Sequence, residues 1–299
     1  MLQQLISGLE AGSWYALIGM AVVVIMKATD VPNFSMAEMG LVAAYVSWGL
    51  LDKLDHSGVK AFKVGILAFV VATLAGLIVA FALGAIIERV LMRRFGGLSH
   101  FPMLLMTIGL TGVIRSVIDK VWGGDDRANP APWSGRIWRV GDTIISVNQL
   151  ITIGVGLAAA ILLGRFFQSS FGAQMRAVAE NRAVARTLGI NVGRVAVVAW
   201  GIATVVAALA MILQTQKTNL GQGNADALII RGFVAATIGG FSSLMGAFIG
   251  GLMVGVLEFL AAEYISTDWK SAVALLLVFV FLLFKPTGLF APAIKPREV

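Results

Sequence analysis

The sequence predicts an all-α membrane protein with about 8–10 membrane-spanning segments, some broken or re-entrant, and a helix in a cytoplasmic loop. Three observations predict this fold class. The 299 residues are 58% hydrophobic and only 13% charged, and the mean hydropathy is +0.88. Apolar runs long enough to cross a hydrocarbon core recur along the chain. The cations, which give a net charge of +7, are concentrated in a few short loops.

Each apolar run is expected to be one helix of a single transmembrane domain that covers residues 1–299. A shorter run such as Phe34–Leu51 is also compatible with a re-entrant segment. In chain order the runs are Leu5–Met26, Phe34–Leu51, Val64–Ile87, Phe101–Trp122, Gln149–Leu163, Val195–Leu213, Ala225–Gly240, Gly246–Tyr264 and Trp269–Phe284.

Three basic clusters orient these helices, namely Glu88–Arg94, Arg165–Arg194 and Lys285–Arg297. Cytoplasmic loops of membrane proteins carry an excess of Lys and Arg, so we expect all three inside. Nine crossings then put the N-terminus outside and the C-terminus inside, although Asp52–Lys63 would lie outside despite its three lysines. Because orientation explains the positive charge, no nucleic-acid partner is expected.

Two segments interrupt the apolar pattern. Thr29–Ser35 contains Pro32, which disfavours helix at the preceding residue, and Thr237–Gly246 contains paired glycines and serines. Broken helices often flank a substrate site in transporters, because unwound backbone exposes donors and acceptors at depth. The alternative is that both are ordinary turns between spans.

Small residues recur at four-residue spacing along Ala72, Gly76, Ala80 and Gly84, and in the pairs Gly246/Gly250 and Gly251/Gly255. This spacing lines one helix face with small side chains and lets helices approach closely. Tight packing of the bundle is the favoured interpretation, and a gating role is the alternative.

Charged residues within the spans need partners or water, because an isolated charge at the bilayer centre costs about 2.5–3.5 kcal/mol. Arg115 and Asp119 are four residues apart and are predicted to pair on one helix face. Glu258 has no cation nearby in the sequence, which makes it a functional candidate. The other such residues are Glu10, Glu38, and Asp226 with Arg231.

Catalytic and metal chemistry is not expected. The sequence has no P-loop motif, no cysteine, and only two histidines, His56 and His100. If the chain moves a solute and this movement needs energy, the energy would therefore come from another protein.

The loop Arg165–Arg194 carries five Arg and one Glu, and the segment Arg176–Asn191 is predicted to be a short basic helix. Gly189 suits a left-handed stop after Leu188, and Asn191 can cap the next helix. Apolar surface for a partner's groove would come from Met175, Val178, Val184 and Leu188. The alternative is a solvated helix that only satisfies charge topology.

Five blocks together resemble the permease subunits of bacterial ABC importers for branched-chain amino acids, of the LivH type. The blocks cover nearly the whole chain: Asn33–Gly40, TIGLT (Thr107–Thr111), AENRAVARTLGIN (Ala179–Asn191), GGFSSLMGAFIGG (Gly239–Gly251) followed by Gly255 and Glu258, and FKPTGLF (Phe284–Phe290).

The resemblance implies a multi-pass, non-enzymatic subunit in the bacterial inner membrane, with its partners in a larger assembly. Those partners are a second, similar permease, two cytosolic ATPases that bind ATP and Mg²⁺, and a periplasmic solute-binding protein. The chain itself would bind no cofactor. The residues expected to contact the ATPases are Arg176, Ala179, Glu180, Asn181, Arg182, Ala185, Arg186, Gly189, Ile190 and Asn191.

The resemblance also suggests a translocation path along the early broken helix. Many members carry His-Gly where this chain has Met36–Ala37, which exchanges a polar ring for a flexible apolar side chain. The path candidates are Asn33, Phe34, Ser35, Met36, Glu38, Thr107, Gly109, Gly239, Gly240, Ser242 and Glu258.

Other functions stay open on the sequence alone. One is a secondary transporter driven by an ion gradient through Glu258 or Glu10. Others are an importer for urea or short amides, and a passive channel.

Overall fold

The computed structural model describes residues 1–56, 65–95, 100–129, 131–267, 269–285 and 288–290. The described chain is mainly helical. Its α-helices are α1 (Leu2–Thr29), α2 (Met36–His56), α3 (Ile66–Val90), α4 (His100–Trp122), α5 (Val147–Gln168), α6 (Ser170–Glu180), α7 (Arg182–Thr187), α8 (Val192–Thr215), α9 (Gln222–Gly239), α10 (Leu244–Tyr264) and α11 (Trp269–Phe284). A 3₁₀ turn, Met92–Phe95, follows α3.

The predicted all-α class is confirmed, and each of the predicted apolar runs forms a helix. In the described part of the chain, 6 helices are long and apolar enough to cross a membrane: Leu2–Thr29, Ile66–Phe95, Phe101–Trp122, Val147–Gln168, Val192–Thr215 and Leu244–Tyr264. The remaining runs correspond to α2, α9 and α11, of which α11 has only 16 residues. The number of crossings stays a prediction.

Four short strands, which the sequence did not predict, join loops at one end of the bundle. They are β1 (Arg127–Ala128), β2 (Ile137–Val140), β3 (Thr143–Ser146) and β4 (Asn219–Leu220). β1 pairs with β4 and β2 pairs with β3, both antiparallel. We call this the strand end, and the pairing of β1 with β4 joins the loop between α4 and α5 to the loop between α8 and α9.

The opposite end carries α6 and α7, and we call it the coupling end. Nη2 of Arg182 on α7 donates to the carbonyl oxygen of Ala28, 3.2 Å away, near the end of α1. Nη2 of Arg93 donates to the carbonyl oxygen of Gly193 at 2.7 Å, which joins the 3₁₀ turn to α8. Two of the predicted basic clusters thus meet at this end. The third, Lys285–Arg297, lies largely outside the described residues.

The core is organised around α1, which is buried along most of its length and packs against α10, α8, α9 and α5. The predicted close packing of small residues is confirmed. A Cβ at Gly76 would lie 2.7 Å from the carbonyl oxygen of Ala43, and one at Gly251 would meet the backbone of Ala16. Backbones therefore approach closely at α3–α2 and at α10–α1.

Helices end at both predicted interruptions, which we call the first break (Asp30–Ser35) and the second break (Gly240–Ser243). α1 ends at Thr29, and Asp30 adopts a left-handed conformation with φ of 60°. α9 ends at Gly239, and Gly240 has φ of 91°. Ser243 caps α10 by accepting from the backbone N–H of Gly246 at 3.0 Å.

Candidate translocation path and coupling surface

The first helix break lies inside the bundle. The backbone N–H of Phe34 donates to Oγ1 of Thr107 at 3.3 Å. Thr107 is seven residues into α4, so this contact is about 10 Å from the helix start at a rise of about 1.5 Å per residue. The Asp30–Ser35 segment therefore returns into the bundle before α2 begins, which favours a broken helix over a surface turn.

Polar groups of this break are satisfied within it. Oδ1 of Asn33 accepts from the backbone N–H of Ser35 at 2.9 Å and from its hydroxyl at 2.7 Å. Both residues are completely buried. In this conformation the break presents no free hydroxyl to a solute. The Asn33–Ser35 hydrogen bonds would have to open before either side chain could bind a solute.

Three phenylalanine rings connect the two breaks. The ring of Phe34 stacks on that of Phe233 with centroids 4.4 Å apart, and Phe233 lies 6.5 Å from Phe241. The second break is further covered by the C-terminal segment, since the N–H of Leu289 donates to the carbonyl oxygen of Ile238 at 2.9 Å. A movement of α9 would thus disturb both breaks together.

A charged group joins α2, α4 and α9. Nη2 of Arg115 donates to Oε1 of Glu38 at 2.7 Å and also to Oδ1 of Asp226. The predicted pairing of Arg115 with Asp119 is therefore wrong, and Asp119 instead accepts from Nε2 of Gln222 at 2.6 Å. Partners on distant helices displaced the local one because the buried Glu38 needs a cation more than the exposed Asp119 does.

A second charged group joins α1, α9 and α10. Nε of Arg231 donates to Oε1 of Glu258 at 2.7 Å, and the hydroxyl of Tyr15 donates to Oε2 at 2.8 Å. Glu258 has no cation nearby in the sequence, as expected, but the fold brings Arg231, 27 residues away, into contact with it. The suggested association of Asp226 with Arg231 is wrong. Asp226 and Arg231 are five residues apart and so project about 140° apart around α9. Helix α9 is thereby tied to different helices on two sides.

The path candidates do not form one continuous surface. The first break brings together Asn33, Phe34, Ser35 and Thr107. The second break contains Gly240 and Ser242 and directly follows Gly239. Glu38 lies with Arg115, and Glu258 lies apart in the second charged group. Met36 is completely buried, whereas Gly109 and Ser242 are exposed.

The predicted basic helix Arg176–Asn191 is two helices, and the expectation of one helix is wrong. α6 ends at Glu180, and Asn181 caps α7 by accepting from the N–H groups of Ala183 at 2.9 Å and Val184 at 3.1 Å. An asparagine side chain that binds backbone in this way competes with helix continuation. The predicted ends are confirmed, because Gly189 has φ of 79° and Asn191 accepts from the N–H of Arg194 at 2.9 Å.

The apolar residues of this segment divide between two faces. Met175 and Val178 are buried within the chain, so the expectation that they offer surface to a partner is wrong. Val184 and Leu188 are 52% and 71% exposed and form an apolar face on α7 and its C-cap residue. Ala185 is buried beneath it.

Other residues expected to contact the ATPases are distributed around this face. Arg176 donates to the carbonyl oxygen of Phe167 within the chain. Arg182 is half-buried and bound to Ala28, and Ile190 is half-buried. Exposed positions are Ala179, Glu180, Asn181, Arg186, Gly189 and Asn191.

Sequence reasoning missed the connecting residues Tyr15 and Phe233. Neither carried a signal, since a tyrosine or phenylalanine in an apolar helix is ordinary. Arg115, Asp226 and Arg231 were noticed as charges within spans, but their partners lie up to 111 residues away in sequence.

Comparison with known proteins places the chain among transport proteins. Residues 4–282 match the family model described as branched-chain amino acid transport system / permease component. The chain is 31% identical over 295 residues to the high-affinity branched-chain amino acid transport system permease protein LivH of Salmonella typhimurium, covering 96% of this chain and 94% of that protein. It is 30% identical over 294 residues to the corresponding protein BraD of Pseudomonas aeruginosa, covering 96% and 95%. The chain therefore belongs to the family of branched-chain amino acid transport permease components.

Proposed function

We propose that this chain is the membrane-spanning permease subunit of an ATP-driven importer for branched-chain or related amino acids. Family membership supports the transport role, and relatives that match along almost their whole length are named for these solutes. The secondary-transporter alternative is weakened because Glu258 and Glu10 are each bound to a cation, Arg231 and Lys217. The relatives likewise do not favour an importer for urea or short amides.

The translocation path is proposed to run along the face shared by α4 and α9. The side chains of Arg115 and Asp226 are 26% and 56% exposed in the single chain, although both lie in helices that sit among membrane spans. Exposure of such charges to lipid would cost about 2.5–3.5 kcal/mol each. Gly109, Gly112 and Ser116 of α4 are also exposed, and Gly112 lies about 60° around the helix from Arg115. This exposed charged face is the observation that carries the proposal, because it calls for water and a second permease to cover it.

Energy is proposed to enter at the coupling end. The exposed apolar face of Val184 and Leu188 offers a contact surface for a cytosolic ATPase. Two such ATPases, one for each permease, would bind ATP and Mg²⁺ and hydrolyse the nucleotide. Transport follows if nucleotide states favour different conformations of the permease pair, since only differential binding can shift a conformational equilibrium.

The orientation of the chain in the membrane is proposed from the distribution of its Lys and Arg residues. The coupling end and the C-terminus would face the cytoplasm, and the strand end would face the periplasm of a bacterial inner membrane. A periplasmic solute-binding protein would deliver the solute to the strand end. The tie between Arg182 and the end of α1 supports transmission from α7 into the central helix.

The decisive experiment is reconstitution of the chain with its companion subunits in proteoliposomes. Leucine uptake should require the binding protein on one side and ATP on the other, and a chemical ion gradient should not replace ATP. Uptake by this chain alone that follows an ion gradient would overturn the proposal in favour of secondary transport. Uptake that stops when the leucine concentrations inside and outside are equal, and that does not depend on ATP, would indicate a passive channel.

A further inference from the structure

A cavity of about 500 Å³ opens at the coupling end, beside the first break. Five elements build its wall: the end of α1, the end of α3 with its 3₁₀ turn, the start of α4, α7, and the start of α8. It therefore lies between the coupling helix and the spans that this helix would move.

The cavity carries excess positive charge. Arg93, Arg182 and Arg186 line it, against a single acid, Glu88. Glu88 is already bound to Arg93, whose Nη2 lies 3.0 Å from its Oε2. Arg182 donates to the carbonyl of Ala28, and Arg186 makes no ion pair or hydrogen bond to any residue that the structure describes. The net charge of the lining favours an anion.

The rest of the lining is apolar. Val31, Met92, Met103 and Ala196 are buried residues of the wall. A free inorganic anion would gain nothing from contact with these apolar residues. An anion attached to a hydrocarbon chain would match both the arginines and the apolar residues of the lining. Anionic phospholipids combine these properties, and basic pockets between helices on the cytoplasmic side bind their headgroups.

We propose that this cavity binds the phosphate headgroup of an anionic phospholipid, which joins α7 to the ends of α1, α3 and α8. The phosphate oxygens accept from Arg182 and Arg186, and the start of the acyl region contacts Met92 and Met103. The proposal rests on the proposed orientation, since it places the headgroup in the cytoplasmic leaflet. A bound lipid would hold the coupling helix in register with the central helix.

The test is native mass spectrometry of the full chain, alone and in the assembled complex, after incubation with phosphatidylglycerol or phosphatidylcholine. We expect specific retention of phosphatidylglycerol. The double variant R182Q/R186Q should weaken it about 30-fold, the loss expected for two arginines near an anionic headgroup. The matched control R165Q/R194Q removes two exposed arginines of the same loop that do not line the cavity and should retain the lipid.

Three outcomes overturn the proposal. Equal loss in both double variants would mean a general surface charge effect. Saturation by inorganic phosphate without lipid retention would identify a free-anion site. Retention by the isolated chain but not by the complex would mean that a subunit fills the cavity. The experiment measures the mass of bound lipid and does not measure transport. Its result therefore stands even if the proposed transport function is wrong.

Discussion

Arg231 of α9 donates from Nε to Oε1 of Glu258 on α10, 2.7 Å away, and both side chains are enclosed by the bundle. Tyr15 of α1 completes the group through its hydroxyl. Removal of one partner from a largely buried charged pair leaves an uncompensated charge in the protein interior. The geometry therefore makes Glu258 a fixed link among three helices rather than a group that exchanges protons with a solute path.

Removal of Glu258 alone should destabilise the protein. Glu258→Leu removes the carboxylate that Nε of Arg231 binds, which costs about 3–5 kcal/mol, and Arg231→Met should have a similar effect. The double variant Arg231→Met/Glu258→Leu should recover most of that loss. The measurement is the midpoint of thermal unfolding in detergent for the two single variants and the double variant.

A different result would restore Glu258 as an ion carrier. In that case Glu258→Gln would keep the unfolding midpoint of the parent and abolish uptake. Additive destabilisation in the double variant would also contradict a direct link, because residues in contact show coupling.

Glu38 and Asp226, the two acids that bind Arg115, should differ in their effects: Glu38 on stability and Asp226 on leucine uptake. Glu38 is buried, so Glu38→Gln should lower the free energy of unfolding by about 1–3 kcal/mol. Asp226 is half exposed, so Asp226→Asn should change it by less than about 1 kcal/mol, yet reduce leucine uptake if this face lines the path. Asp125→Asn, at an exposed loop position of the strand end, is the matched control. Normal uptake in Asp226→Asn would remove the α4–α9 face from the path.

Local signals made much of this fold predictable from sequence. Apolar runs fix where helices lie in a membrane protein, because backbone groups in lipid must be satisfied within the segment. The stop at Gly189 and the cap at Asn191 depend only on residues within one turn. The break after Thr29 was predictable because Pro32 restricts its own backbone and that of Val31.

Long-range pairings were not predictable from one sequence. Asp119 lies four residues from Arg115 and was the acid nearest to it in the sequence. The packing of the helices instead brings Glu38 and Asp226 into contact with Arg115. Burial of Met175 and Val178 depends on how α6 rests against α1 and α5, which helix periodicity does not determine. The candidate site was thus predicted as a set of residues, while its organisation around α9 came only from the structure.

The apolar face of α7 should be required for ATPase binding. Leu188→Asp places a charge where a partner's groove is expected, and loss of a central contact of this kind costs about 2 kcal/mol or more, about 30-fold in affinity. Co-purification of the ATPase with the permease measures the effect. Leu188 is exposed, so the unfolding midpoint should stay unchanged.

Ile137→Asp is the matched control for this prediction. It makes the same kind of change at a half-exposed aliphatic residue of β2, at the opposite end of the molecule. The ATPase should still co-purify with this variant. Equal recovery of ATPase with Leu188→Asp would place the contact elsewhere on the coupling end.

Two kinds of glycine should respond oppositely to enlargement, which locates the interface with a second permease. A Cβ at Gly84 would meet the carbonyl oxygen of Trp200, so Gly84→Leu should lower stability by at least about 1–3 kcal/mol. Gly112 has open space around it, so Gly112→Leu should fold normally, helped by the better helix propensity of leucine. If the α4–α9 face receives the partner permease, Gly112→Leu should nevertheless block co-purification of that subunit, because the helices can no longer approach closely. Gly154→Leu on α5, also exposed with open space, should fold and assemble. Normal assembly of Gly112→Leu together with failure of Gly154→Leu would move the interface to α5.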